Sequence, residues 1–214
     1  MKKYFTVLFV LISIVSQGQQ DTAVKYTRHA PYERHELTVG IALGFIDAYR
    51  HSYSLPSGFE KGNTSGFAPI YAKVEYGVSR DVSIAALFGY DAFQYNYGQE
   101  YTGNNGPFTR YVNNNTRVLS AGLVAFYHLG KVIPVKHLDP YVGIGLSLNN
   151  IRYGAQPQGD SIVVLYNHTV TPYLKAGARY YISSVYSVFA DAGYDQHTIF
   201  DVGFSCRFFR KDSK

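Results

Sequence analysis

Residues 37–45 read Leu-Thr-Val-Gly-Ile-Ala-Leu-Gly-Phe, so every second side chain is bulky and apolar, while those between are small or polar. Alternation with period two is typical of a β-strand that has two different faces. Nine residues are enough to cross the hydrocarbon layer of a membrane when the strand is tilted. The stretch therefore predicts a strand that can span a bilayer.

The same alternation recurs along the chain and predicts eight strands in total. It is clear at residues 82–91, 142–149, 174–181 and 200–208, and looser at 70–77 and 188–195. Residues 116–129 also have an extended pattern, but the sequence does not assign their faces. The connections between strands are unequal, with tight turns at 78–81 and 183–185, a moderate connection at 130–138, and long segments rich in Gly, Asn, Ser and Tyr at 50–66, 94–115 and 152–161.

Short connections alternate with long ones, and only the last outer connection, near Gln196 and His197, is an exception. Short periplasmic turns and longer outer loops are typical of outer-membrane barrels. The less apolar face carries mainly Gly, Ala, Ser and single charges, which suits a narrow interior, whereas a soluble barrel would carry more Lys and Glu outside. We expect an all-β, eight-stranded antiparallel up-and-down transmembrane barrel, with a soluble periplasmic lipocalin-like binder as the alternative.

Aromatic residues cluster at the predicted strand ends, as expected for an interfacial girdle at the two membrane surfaces. The predicted girdle consists of Tyr49, Tyr53, Tyr76, Tyr90, Tyr95, Tyr97, Tyr127, Tyr141, Tyr180, Tyr186, Tyr194 and Phe208.

The first 18 residues have the organisation of a signal peptide. Lys2 and Lys3 supply a basic start, residues 4–15 are apolar but too short to span a bilayer, and Ser16-Gln17-Gly18 provides small residues for cleavage. We expect Sec-dependent export, a periplasmic segment over 19–34, the barrel over 35–209 and a short tail over 210–214. No cysteine follows the cleavage point, so a lipoprotein anchor is not indicated.

Charge and cysteine content exclude several classes of function. Removal of Lys2 and Lys3 leaves 18 basic residues against 15 acidic ones, so the net charge falls from +5 to +3. This excess is not clustered as nucleic-acid binding requires. Cys206 is the single cysteine, which excludes a disulfide framework or a zinc site built on several thiolates. We expect no cofactor and no metal.

Two segments resemble those of a known family, the small eight-stranded outer-membrane barrels of the OmpA/OmpX-like type. Residues 140–146, Pro-Tyr-Val-Gly-Ile-Gly-Leu, look like the strand opening common in such barrels. Residues 201–208 resemble the C-terminal signal read by the barrel-assembly machinery, although the chain continues through Phe209 to Lys214. The resemblance covers about residues 35–209 and implies an integral protein of the bacterial outer membrane. The positions that match the assembly signal are Asp201, Gly203, Cys206 and Phe208.

Charged residues on the predicted inner face form one candidate site. They are Lys73, Glu75, Asp91, Lys175, Arg179, Asp191, Asp195, Asp201 and Arg207, while the faces of Glu36 and Arg117 stay open. Nearly equal numbers of both signs favour a salt-bridged plug, because unpaired charges are costly in a tight interior. The alternative is a gated ion pathway through a narrow channel.

The histidines offer a second candidate site at the outer rim. His51 lies beside Ser52, and Asp195 lies two residues before His197, so a lipid A or peptide hydrolase is an alternative function. Their spacing matches no barrel-enzyme motif, and we expect no catalysis. His29 and His35 precede the barrel and His137 lies in a turn, so a metal cluster is not supported.

The predicted loop over residues 93–115 is the third candidate, for recognition of a ligand or partner. Aromatic rings among several asparagines suit contact with sugars, peptides or proteins, although the rings could instead pack on one another. These considerations predict a non-catalytic barrel that supports the envelope or binds an external ligand or partner. The candidate recognition residues are Tyr95, Tyr97, Tyr101, Phe108 and Tyr111.

Overall fold

A computed structural model of the chain describes residues 35–47, 59–103, 106–157, 163–195 and 197–209. The predicted signal peptide, the segment 19–34 and the tail 210–214 lie outside these residues. The described residues form nine strands and none of them is in a helix long and apolar enough to cross a membrane. The strands are β1 (Leu37–Asp47), β2 (Phe59–Gly66), β3 (Ile70–Gly77), β4 (Val82–Gly103), β5 (Gly106–His128), β6 (Leu138–Pro157), β7 (Val163–Tyr181), β8 (Tyr186–Tyr194) and β9 (Thr198–Phe209).

The strands close into an antiparallel barrel with eight positions around its circumference. The order is β2-β4-β3-β1-β9-β8-β7-β6-β5, and pairing of β4 with β5 closes the ring. Strands β2 and β3 occupy one position, because both pair with β4, through Gly66 opposite Phe93 and Ile70 opposite Tyr90. The interruption between them contains Pro69, which has no N–H to donate to a sheet. The prediction of an eight-stranded barrel is confirmed, with one strand divided.

The barrel is much taller on one side than on the other. Strands β4 to β7 contain 19 to 23 residues, whereas β1, β3, β8 and β9 contain 8 to 12. Most of the residues predicted as outer loops are therefore strands, because the polar residues of these segments still alternate and pair across hairpins. Tyr95 pairs with Asn114, and pairing continues to Gly103 and Gly106. The prediction of a loop over residues 93–115 is wrong.

The register of strand pairing is regular on the tall side and irregular between β1 and β9, where the two ends of the described chain meet. Strands β4 and β5 pair without a shift from Val82 opposite Tyr127 up to Gly103 opposite Gly106. The pairing of β1 with β9 contains three register shifts, at Leu37/Thr38, Gly44/Ile46 and Ile46/Asp47. The seam between β1 and β9 is therefore the least regular of the pairings in the described residues.

Apolar and polar side chains are distributed in the opposite sense to that of a soluble barrel. Leu123 and Ile144 point outward and are 67% and 68% exposed, whereas Lys73 and Arg179 point inward and are 4% and 0% exposed. A soluble lipocalin-like barrel requires the reverse arrangement. In β5 the even-numbered residues face inward, and the sequence left this open because Val118, Val124 and Phe126 make the inner face apolar as well.

The apolar exterior has the height of a membrane. On β5 the outward side chains run from Tyr127 through Leu123 and Leu119 to Arg117, which is ten residues from Tyr127. At about 3.3 Å per residue and a tilt of about 40°, this corresponds to about 25 Å, the usual height of the apolar band. No outward side chain between Tyr127 and Arg117 is charged. Arg117 therefore marks the outer limit of the lipid-facing band on β5.

Most of the described girdle residues are exposed on the outside, but the predictions for Tyr95, Tyr97 and Tyr141 were wrong. Tyr95 and Tyr141 point inward and are buried, and Tyr97 is partly buried. A tyrosine suits a wet interior as well as a membrane interface, since its hydroxyl finds hydrogen-bond partners in either place. Tyr49 and Tyr53 lie outside the described residues. The exposed girdle members are Tyr76, Tyr90, Tyr127, Tyr180, Tyr186, Tyr194 and Phe208.

Candidate functional site

Charged side chains fill much of the barrel interior, and acidic ones are in excess. Among the described residues, the inward basic side chains are Lys73, Lys175, Arg179 and Arg207. His128 and Asp139 join the interior although the sequence did not single them out, and Arg117 lies outside. The expectation of nearly equal numbers of both signs was wrong, because four inward lysines and arginines face seven buried carboxylates in the described residues. The buried acidic side chains are Glu36, Glu75, Asp91, Asp139, Asp191, Asp195 and Asp201.

The central cluster is built around Glu75 on β3. Arg179 on β7 pairs with Oε2 of this carboxylate, while Oε1 accepts a hydrogen bond from Ser83 at 2.9 Å. His128 Nε2 lies 3.3 Å from Oε1, and its Nδ1 contacts Asp139 at 2.9 Å. Five side chains from five different strands therefore satisfy one another, which fixes the relative positions of those strands near the periplasmic end.

Lys73 lies above this cluster in a setting that is mainly aromatic. Its Nζ is 4.2 Å from the ring centroid of Phe189, 4.9 Å from that of Phe126 and 5.2 Å from that of Tyr141. The nearest carboxylate atoms are 3.8 Å away on Asp191 and 4.0 Å away on Glu75. Cation–π attraction therefore contributes much of the stabilisation of this buried charge.

Large inward side chains fit because glycines lie beneath them. Tyr141 donates a hydrogen bond of 2.6 Å to Asp191 and lies over Gly177. A Cβ atom at Gly177 would overlap Asp191 and would come within 2.8 Å of the Tyr141 ring. Phe126 lies over Gly143 in the same way. The small residues that the sequence places on the inner face therefore leave room for aromatic rings, which fill the barrel interior at this level.

A second ionic cluster lies at the outer end, where the short connection joins β8 to β9. Lys175 pairs with Asp195 at 2.5 Å and also with Asp201, and it donates to Thr198 at 2.9 Å. Oδ1 of Asp195 accepts the backbone N–H groups of His197 and Thr198 at 2.6 and 2.7 Å. Asp195 therefore closes a compact turn, which explains why this outer connection is short.

His197 has a partner that sequence reasoning missed. Its Nε2 lies 2.8 Å from Oγ of Ser120 on β5, within the reach that a base and a nucleophile need. Both side chains are buried, at 2% and 6% exposure, and Asp195 is engaged with backbone N–H groups and Lys175. The sequence could have identified Ser120 as a partner of His197 only if the inward face of β5 had been assigned. His51 and Ser52 lie outside the described residues.

At the periplasmic end, Arg207 Nε contacts Glu36 at 2.8 Å, and its guanidinium lies 4.2 Å from the ring centroid of Tyr181. Of the residues predicted as an assembly signal, Asp201 faces the interior, whereas Phe208 is exposed to the outside and Cys206 is partly exposed. His35 Nδ1 lies 2.8 Å from the hydroxyl of Tyr76. Within the described residues, no group of three or more His, Cys, Asp or Glu side chains is arranged to hold a metal ion.

The candidate recognition residues lie on the tall β4–β5 hairpin, which rises above the apolar band. Phe93, Tyr95 and Tyr97 form a stacked series, with centroid distances of 6.1 and 6.2 Å. Tyr95 accepts a hydrogen bond of 2.6 Å from Asn114. Phe108 is exposed and pairs in register with Tyr101, and Tyr111 pairs in register with Gly98.

The outer sheet, the part of β4 to β7 beyond the row of Ala92, Arg117, Arg152 and Tyr166, differs in accessibility from strand to strand. Leu165, Tyr166, Asn167 and His168 are consecutive residues, so they alternate between faces, and all of them are exposed. In a closed barrel one of the two faces would be covered. Both faces of β7 are therefore accessible at this level, whereas the inward Phe93, Tyr95 and Val112 of β4 and β5 are buried.

A closed eight-stranded barrel with a lipid-facing apolar exterior and a charged interior is the architecture of bacterial outer-membrane proteins, and this chain is a small barrel of that class. No family model and no curated protein matches the sequence.

Similar solved structures include the N-terminal β-barrel domain of OprF from Pseudomonas aeruginosa, at 17% identity and a TM-score of 0.43, covering 82% of this chain and 98% of that one. OprG from Pseudomonas aeruginosa is 8% identical, with a TM-score of 0.49 and coverage of 85% and 99%. Ail, the attachment invasion locus protein of Yersinia pestis, is 10% identical, with a TM-score of 0.42 and coverage of 82% and 95%.

Proposed function

We propose that the protein is a non-catalytic outer-membrane barrel whose raised outer sheet binds an extracellular protein partner. The observation that carries the proposal is the β4–β5 hairpin, which is paired without a register shift as far as Gly103 and Gly106. A protein with a purely structural role in the membrane needs strands of only about ten residues. The additional length forms an exposed sheet with a defined shape.

The chemistry of this sheet suits a protein surface. Phe108, Leu165 and Tyr166 are each more than half exposed, and exposed asparagines at 113, 115 and 167 lie among them. Aromatic rings supply contact area at low cost in conformational entropy, and amides supply adaptable hydrogen bonds. A paired sheet holds these groups in place before binding, which lowers the ordering cost that a flexible loop would pay.

Two other functions receive less support. A conducting channel requires water along the axis, whereas the inward side chains of Arg179, Tyr141 and Phe126 are inaccessible inside the barrel. A hydrolase could use the hydrogen bond between Ser120 and His197, but a substrate must reach the serine, and both side chains are buried. We interpret that pair as a structural contact between β5 and the β8–β9 turn.

The test is a trimmed variant in which residues 96–113 are replaced by Asn-Gly, joining the register pair Tyr95 and Asn114 by a two-residue turn. Wild-type and trimmed proteins in lipid nanodiscs are applied to arrays of extracellular proteins and of glycans. We expect protein binding that is lost on trimming, while the heat-dependent gel mobility typical of a folded barrel is retained.

A matched point variant separates the chemistry of the sheet from its shape. Phe108→Ser removes one exposed ring of the hairpin, and Val132→Ser changes an apolar residue of the periplasmic connection that is even more exposed. The proposal requires weaker protein binding for the first variant only. Binding to glycans alone would replace the protein partner by a carbohydrate, and equal binding by wild-type and trimmed proteins would leave only a structural role.

A further inference from the structure

Two arginines lie side by side on the outer surface of the barrel, directly above the apolar band. Arg117 on β5 is paired in register with Arg152 on β6, and both side chains are exposed. Tyr166 on β7 is the next residue in the same row, and the Arg152 guanidinium lies 5.9 Å from its ring centroid. Like charges directly opposite each other across two strands destabilise a sheet unless something compensates for them.

Nothing in the described part of the chain neutralises this pair. The ion pairs of the described residues engage other basic side chains, and neither guanidinium forms one. The neighbouring residue of the row on β4 is Ala92, which has no charge. An anion from outside the chain is therefore the natural partner for two guanidinium groups at this position.

The depth of the pair identifies the kind of anion. The outward row two residues below contains Leu119, Asn150 and His168, and the row below that contains Leu148 and Val170, whose apolar side chains are 63% and 62% exposed. The arginines therefore lie at the level where acyl chains end and headgroups begin on the outer side. A dissolved anion reaches any exposed arginine, whereas a lipid phosphate is held at this level by its acyl chains.

We propose that Arg117 and Arg152 form a binding site for the phosphate of a phosphorylated lipid in the outer leaflet. The Cβ atoms of directly opposed residues are about 5 Å apart, so both guanidinium groups can reach one phosphate. Guanidinium groups match the phosphate geometry through paired N–H donors. Leu119, Leu148 and Val170 lie beneath the pair and contact the acyl chains of the same lipid. The site adjoins the outer sheet at Tyr166, but the proposal does not rest on the partner-binding function of that sheet.

Native mass spectrometry of the full chain in detergent micelles tests the proposal, with bisphosphorylated lipid A as the probe. We expect one lipid to remain bound to the wild-type barrel. Arg117→Gln combined with Arg152→Gln should weaken this binding by about tenfold or more, because two charge-assisted contacts are lost. The matched control combines Arg80→Gln with Lys136→Gln, which removes two exposed basic residues from the periplasmic turns.

Three results would overturn the proposal. The first is equal lipid retention by the wild-type barrel and the Arg117/Arg152 variant, and the second is an equal loss in the control, which would indicate a general charge effect. The third is displacement of the lipid by millimolar inorganic phosphate, which would assign the site to free phosphate. Heat-dependent gel mobility checks the fold of each variant, and the single variants R117Q and R152Q replace the double one if it does not assemble.

Discussion

Replacement of Arg179 by methionine tests whether the buried ionic cluster holds the barrel together as a unit. Arg179 is fully buried and pairs with Glu75, whose carboxylate is itself inaccessible. Without the guanidinium, Glu75 keeps only Ser83 at 2.9 Å, His128 at 3.3 Å and the distant Lys73 at 4.0 Å. Removal of one member of a buried ion pair costs about 3–5 kcal/mol, since the other charge stays buried without sufficient compensation.

The free energy of unfolding is measured by urea titration of the reconstituted barrel, followed by gel mobility and tyrosine fluorescence. We expect Arg179→Met to lower it by about 3–5 kcal/mol, and we expect the double variant Arg179→Met with Glu75→Gln to recover more than half of this loss. The surface pair of Lys131 and Asp81 provides a control, because Lys131 is 66% exposed and Lys131→Gln should cost at most about 1 kcal/mol. A loss below about 1 kcal/mol for Arg179→Met, or no recovery in the double variant, would refute the reasoning.

Three further predictions address the packing, the interior and the exterior. Gly177→Val should abolish the heat-dependent gel mobility, because its side chain overlaps Asp191 and Tyr141, whereas Ala176→Val, on the outer face, should retain it. In planar bilayers the wild-type protein should give no unitary current, and steps that change with Asp191→Asn would show that the interior conducts. A nitroxide on Cys206, the only cysteine, should collide more often with oxygen than with a water-soluble nickel complex, and the reverse order would contradict its lipid-facing position.

Period-two alternation was sufficient to predict the strands whose two faces differ in character. In residues 37–45 of β1 and 174–179 of β7, every second side chain is apolar and the others are small, polar or charged, so the inward positions of Lys175 and Arg179 followed from counting. The same reasoning failed for β5, where the inward Phe126 and the outward Leu123 are both apolar. The contact between Ser120 and His197 depended on that face and was missed for the same reason.

The outer hairpins were mistaken for loops because their composition outweighed their periodicity. Asn, Gly and Tyr are common in loops, yet Phe93, Tyr95 and Tyr97 recur at every second residue, as in a strand. Asn114 lies opposite Tyr95 and donates to its hydroxyl, which no single-strand pattern can reveal. The structure of such segments depends on pairing with residues on another strand, whereas the lipid-facing strands can be predicted from their own alternation of apolar and small side chains.

The seam between β1 and β9 pairs the two ends of the described chain, and this separation in sequence affects the order in which the barrel forms. Its partners, such as Leu37 and Phe209, come from opposite ends of the described chain, whereas β4 and β5 are joined by a hairpin. Local pairs form before distant ones, because they lose less chain entropy when their loops close. The tall hairpins therefore assemble early and the low side of the barrel closes last. We therefore expect Glu36, Arg207 and Asp201 to enter the interior from water, through the gap that is open beside β1 and β9 until these two strands pair.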